Sequence, residues 1–140
     1  MTIKNILLAV DGGSNTDKTL AQVADLLSNY AVKPVLHPLC VATIPVAAVT
    51  GAPAYKVVDE NAQVVVDAAV AFFTERGYQA DGHVADGSPA RAIVGAAKEL
   101  NCDIIYIGHR HMSLLGRMFE PSVCVELLNQ TSTPVTVLPD

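Results

Sequence analysis

The sequence predicts a three-layer α/β domain: a doubly wound, mostly parallel five-stranded sheet with helices on both faces. Two observations carry this. Short continuous apolar runs, the mark of strands buried on both faces, recur along the chain, and segments with apolar residues at helical spacing separate them, giving the alternation βαβαβαβαβ. Right-handed crossovers between such strands then place helices on both faces of one sheet. With 140 residues, 51% of them hydrophobic and 16% charged, the chain is the size of one domain with a sizeable core.

The first strand is Ile6-Leu7-Leu8-Ala9-Val10, stopped by the turn Asp11-Gly12-Gly13-Ser14. Leu20, Val23, Ala24, Leu27 and Ala31 then recur as a helical stripe to about Tyr30, with Ser14, Asn15 or Thr16 available as N-cap. Residues 34–41 read as the second strand, and Pro38 within it points to a bulge or an edge position. From Ala42 to Lys56 the chain is small, apolar and broken by Pro45, Gly51 and Pro53, the pattern of an irregular surface connection. Val58, Ala62, Val65, Val66, Ala69 and Phe73 give the second helix, closed by Gly77. A short strand over 78–84 follows. Ser88 as N-cap and Pro89 at the first helical position open a third helix that ends near Leu100. Ile104-Ile105-Tyr106-Ile107, rich in β-branched residues and ended by Gly108, reads as a central strand. A loop over 109–120, a fourth helix over 122–130 and a last strand over 134–138 complete the order.

Composition excludes several functions. Lys and Arg number 9 against 14 Asp and Glu, a net charge of -5, and no basic cluster is present, so nucleic acid is not an expected partner. The apolar run near Met1 is too short for a signal peptide core or a membrane span, and a cytoplasmic protein with no membrane insertion is expected. Cys40, Cys102 and Cys124 form no CxxC pair and no zinc-finger pattern; they read as small buried apolar residues in a reducing compartment.

In a doubly wound sheet of order 3-2-1-4-5, ligands bind where the order reverses, at the carboxyl ends of the first and fourth strands. Two loops meet there. In the first, Asp11 is placed to accept hydrogen bonds from a base or sugar, with the backbone at Gly12 and Gly13 left open; it is equally placed to cap the first helix. The second runs from Gly108 through His109, Arg110 and His111 to Ser122. Its two His, two Arg and a helix start at Ser122 suit a phosphate group, and the same stretch also reads as a solvated loop over Leu114, Leu115 and Phe119. His109 and His111 have no further ligand at metal-binding spacing, so no metal is expected. His37, on an apolar strand, reads as a hydrogen-bonded core histidine, and His83 as exposed. P-loop, GxGxxG and GxSxG motifs are missing, and no enzyme with its own hydrolytic chemistry is expected.

Across essentially its whole length the chain resembles the universal stress protein family. The opening Ile6-Leu7-Leu8-Ala9-Val10-Asp11-Gly12-Gly13-Ser14 is similar to the family's ILVAVDGS start, Gly87-Ser88-Pro89 with Ala92-Ile93-Val94 to its GxPxxxIL segment, Cys102 to Arg110 to its ADLIVMGSR segment, and Thr133 to Pro139 to its CPVLVV segment. The resemblance implies the adenine nucleotide alpha hydrolase-like fold with sheet order 3-2-1-4-5, a role in stress response, and a homodimer in which Val135 to Leu138 pairs with its symmetry mate. In the family's ATP-binding branch the loop after the fourth strand carries G-x2-G-x9-G-[ST]. Laid on this chain, the first glycine is Gly108, the second position holds His111, the third Pro121, and the hydroxyl is Ser122, so two of the three glycines are absent. Asp11, Gly12 and Val41 match the base and ribose side; Gly108, His109, Arg110, His111, Ser122 and the Val123 amide line the phosphate side. The resemblance thus implies a regulatory or interaction module with a degenerate nucleotide crevice and an unidentified protein partner. The alternative is a sensor that binds ATP or AMP. A slow ATPase is the third reading, and no general base or metal cluster supports it.

Overall fold

The computed structural model describes residues 2–12, 16–42, 53–108 and 121–138, with 53–60 and 121–123 followed through their backbone alone. The elements alternate as expected: β1 (Asn5–Ala9), α1 (Thr16–Leu27), β2 (Val35–Ala42), α2 (Pro53–Glu75), β3 (His83–Asp86), α3 (Pro89–Glu99), β4 (Ile104–Gly108), α4 (Pro121–Gln130) and β5 (Val135–Leu138). The five strands form one sheet in the order β3-β2-β1-β4-β5, and every pairing is parallel.

Side-chain alternation along the strands divides the core in two. Ile6, Leu8 and Val10 point into one layer with Leu36 and Cys40 of β2, Leu20, Val23 and Leu27 of α1, and Val66 and Phe73 of α2. Leu7 and Ala9 point the other way, to Leu39, Ile105 and Ile107, under Ala90 and Ile93 of α3 and Leu127 of α4. Ile6 to Ala9 are wholly buried, which is why β1 reads as an unbroken apolar run rather than an alternating one.

Two helix stops use one device. Gly77 has φ +84, its N–H donates to Thr74 O, and the Tyr78 N–H reaches back to Phe73 O at 3.0 Å, a Schellman motif sealed by the edge-on contact of Tyr78 with Phe73. After α3 the same pattern recurs with Asn101 at φ 52 and Cys102 N donating to Ala97 O at 2.9 Å. Asn tolerates the left-handed conformation nearly as glycine does, and the chain turns into β4 without one.

Four boundaries and placements differ from the sequence reading. Pro53 is the first residue of α2, inside the stretch expected to be an irregular connection; its fixed φ and missing amide suit a helix start. The third strand is His83–Asp86 rather than 78–84, with only an isolated bridge from Ala80 to Leu36 ahead of it. Ser14 and Asn15 lie outside the described residues, and Thr16 is already within α1, which ends at Leu27. Pro38 marks neither an edge nor a bulge: β2 is paired on both sides, and the same number of residues separates Leu36↔Ala80 from Leu39↔His83 on each strand.

Pro38 is accommodated by a gap in the ladder. Leu36 donates its N–H to Gln79 O and accepts from Asp81 N, both at 2.9 Å, so the even-numbered residues of β2 turn their polar groups toward β3. The amide that Pro38 lacks therefore falls on that side, between the Ala80 bridge and the start of β3. His83 is corrected as well. It is half-buried, and its Nε2 lies 3.1 Å from Nδ1 of His37, which is buried as expected. Burial and the neighbouring His83 hold His37 below the usual histidine range, against the pull of Asp81.

Candidate functional site

β1 and β4 are neighbours, and the connections leaving their carboxyl ends part there, the chain passing from β1 to β2 on one side and from β4 to β5 on the other. Asp11 lies two residues beyond the end of β1. The ladder runs past the strand end, Val10 N donating to Leu39 O at 2.9 Å, and this carries Asp11 to the rim of the sheet while keeping it 8% exposed. Its carboxylate lies close enough to Cys40 for its charge to add to burial in raising that thiol to about 11.

Gly12 has φ +75, a left-handed conformation, and a Cβ there would sit 2.5 Å from Val65 Cγ2 on α2. Backbone conformation and space both demand glycine at this turn. Val41, buried on β2, is in register with Ala85 of β3. Gly108 ends β4, buried and in register with Leu138 of β5. Asp11, Gly12, Val41 and Gly108 thus all stand at the carboxyl end of the sheet, the first two just past β1 and the others on β2 and β4.

On the phosphate side, Pro121 is the first residue of α4, and Ser122 and Val123 fall in its first turn. A proline at that point contributes no backbone N–H where the ATP-binding pattern places a glycine. His109, Arg110 and His111 lie outside the described residues. The β3-to-α3 connection enters from the far side: Gly87 N donates to Ala42 O, and Ser88 O accepts from Ala92 N at 2.9 Å, while the Ser88 hydroxyl makes no cap hydrogen bond.

Sequence reasoning missed a second polar group at the opposite end of the same sheet. His37, Asp81 and His83 bring one donor atom each to within 4.8 Å of one another. Only strand register could have revealed it, through the pairing of Leu39 with His83. All three cysteines are free and buried, and Cys102, like Cys40, is raised to about 11, chiefly by burial. Among the described residues, no helix is long and apolar enough to cross a membrane.

A doubly wound parallel sheet with a buried acid and an obligate glycine at its switch point has the form of an α/β fold whose ligand crevice lies at the carboxyl ends of its strands. The family model described as the universal stress protein family matches residues 2–139, and the chain belongs to that family. No curated protein matches it. Among solved structures it is similar to a protein of the universal stress protein family from Burkholderia pseudomallei, at 24% identity and TM-score 0.75 over 99% of this chain and 97% of that one. A universal stress protein in complex with cAMP is similar at 15% identity and TM-score 0.68, over 99% and 98% of the two chains. One from Archaeoglobus fulgidus in complex with dAMP is similar at 19% identity and TM-score 0.64, over 98% of each.

Proposed function

We propose that this chain is a cytoplasmic regulatory module of the stress response, working as a homodimer, whose crevice has lost its grip on a nucleoside triphosphate. The start of α4 carries this reading. Pro121 occupies the first position of the helix, so the amide that would meet a phosphate there is missing, and His111 replaces a second glycine of the loop. A module of this kind passes its signal through a protein partner and performs no catalysis of its own.

The dimer is supported by the position of β5, which among the described residues is an edge of the sheet. Ile105 N donates to Pro134 O, so the even-numbered residues of β5 face β4, and the N–H groups of Val135 and Val137 face outward. An apolar edge with outward donors is stabilised by pairing with a symmetry mate. Val137→Pro removes one outward donor without touching the ladder to β4, and is expected to convert the dimer to monomer in sedimentation equilibrium. A variant that remains dimeric removes β5 from the interface.

The second reading is an adenine-nucleotide sensor for ATP or AMP, favoured by the burial of Asp11 beside Gly12 and by the similar structures holding cAMP and dAMP. Thermal unfolding alone and with excess ATP, AMP or cAMP, each with and without magnesium, separates the two. A ligand at about 100 times its Kd stabilises the fold by roughly 2.7 kcal/mol, a shift of several degrees. A selective rise that Asp11→Ala abolishes establishes the sensor, and a flat panel leaves the protein partner as the only input.

A further inference from the structure

At the amino-terminal end of the sheet, away from the crevice, β1, β2 and β3 bring together side chains that the regulatory reading does not use. Asn5 opens β1, His37 lies on β2, His83 opens β3, and Asp81 precedes it by two residues. His37 Nδ1 and His83 Nε2 are 3.1 Å apart, and His83 Nε2 is 3.8 Å from Asp81 Oδ2.

We propose that His37, His83 and Asp81 form a binding site for a divalent transition ion of the zinc type, with the fourth position open to water. Two imidazoles and one carboxylate are the donor set such borderline ions select. The spacing fits. Two nitrogens 3.1 Å apart, each bonded at about 2.05 Å, subtend about 98° at the ion, and the 3.8 Å nitrogen–oxygen pair subtends about 130°, on either side of the tetrahedral angle. Asp81 is the exposed member, 69% accessible, and swings to close the geometry at little cost.

The orientation of His37 is set from behind. Its Nε2 lies 3.1 Å from Asn5 Oδ1, an acceptor, so Nε2 carries the proton and the lone pair of Nδ1 faces His83. Asn5 is itself pinned, its backbone N–H donating to Asp103 Oδ2 at 3.0 Å, which also accepts from Lys4 N at 2.8 Å. This is the outer support that ligating histidines ordinarily have. In the metal-free state the His83 Nε2–H donates to His37 Nδ1. Binding requires that Nε2 of His83 give up that proton, which its other ring nitrogen can carry, after which both lone pairs meet the ion.

The test is calorimetric titration of the full untagged chain with Zn2+, paralleled by Co2+ titration followed through its visible d–d absorption. One ion per chain is expected, with the intense bands of four-coordinate cobalt. His83→Ala, on a half-buried edge-strand position that tolerates truncation, is expected to abolish both signals, and Asp81→Asn to weaken binding by at least tenfold. The double variant His109→Ala/His111→Ala is expected to bind as the parent does. Stoichiometric binding that survives His83→Ala, binding lost in the His109/His111 variant, or no binding by the parent each overturns the assignment. Thermal unfolding of each variant without metal verifies that it folds.

Discussion

Replacing Gly12 by alanine tests whether the turn at the crevice is built as described. Two costs add. The backbone at φ +75 asks alanine for a left-handed conformation, at about 1–2 kcal/mol. The new methyl falls 2.5 Å from Val65 Cγ2, well inside contact distance, and overpacking of this kind costs about 1–3 kcal/mol. Gly12→Ala is therefore expected to destabilise the domain by about 2–5 kcal/mol, measured by urea unfolding. Val65→Ala in the same chain removes the clash and leaves the backbone strain, so the double variant recovers the second cost and keeps the first. Gly95 in α3 is the control. Nothing lies within 4 Å of a Cβ built there, and Gly95→Ala is expected to stabilise by about 0.5–1 kcal/mol. If Gly12→Ala is neutral, or if the two substitutions are additive with no coupling, the turn does not press on α2 and the reasoning fails.

Three further outcomes follow from the same geometry. Burial raises Cys40 from 9.0 to about 11, which leaves about 100-fold less thiolate at neutral pH, so maleimide labelling of the native chain is expected to be slow and to become fast in denaturant; rapid labelling of Cys40 would show the site to be open. Asp103 is held below the usual carboxylate value by the Asn5 and Lys4 amides, so its contribution is fully present above its unfolded value near 3.8 and is lost as pH falls through the lower folded value. Asp103→Ala should accordingly cost about 1 kcal/mol at pH 7 and progressively less as the pH is lowered below 3.8, measured by denaturant titration across that range; a cost that does not shrink with acid removes the amide contacts as its cause. Phe73, wholly buried between Phe72 and Tyr78, should cost about 3–5 kcal/mol on truncation to alanine, and a smaller loss by urea unfolding would mean that the α2 layer collapses around the cavity.

The fold was legible because its signals are local. Ile6 to Val10 shows a doubly buried strand within five residues, Ser88-Pro89 shows a helix start within two, and Gly77 shows a stop within one. Local signals also misled. Pro38 reads as an edge because a central strand cannot spare an amide, yet the ladder to β3 is interrupted just where that amide would fall, a property of the partner segment 81–82 that β2 itself does not encode. The placement of Asp11, Gly12, Val41 and Gly108 at one end of the sheet follows from strand order, which the alternation and the resemblance already implied, while the part of the demand for glycine at 12 that comes from Val65, 53 residues further along, was invisible without coordinates.

The histidine pair was hidden for a related reason. Metal motifs are recognised at short spacing when one helix or turn presents the ligands, and the spacing of His37 to His83 spans the whole of α2. What joins them is parallel register. Leu39 pairs with His83, so His37 lies two residues back on the same face, and alternation turns both rings toward the side that Asn5 shares. A doubly wound sheet is usually searched at its carboxyl end, where the loops vary and ligands bind. Its amino-terminal end is assembled by the same register from residues distant in sequence. Here that end joins β1, β2 and the edge strand β3 through a single polar chain from Asp103 through Asn5 and His37 to His83. An ion at the end of that chain would fasten the edge strand to the sheet centre, and the centre continues through β1 to Asp11 at the crevice.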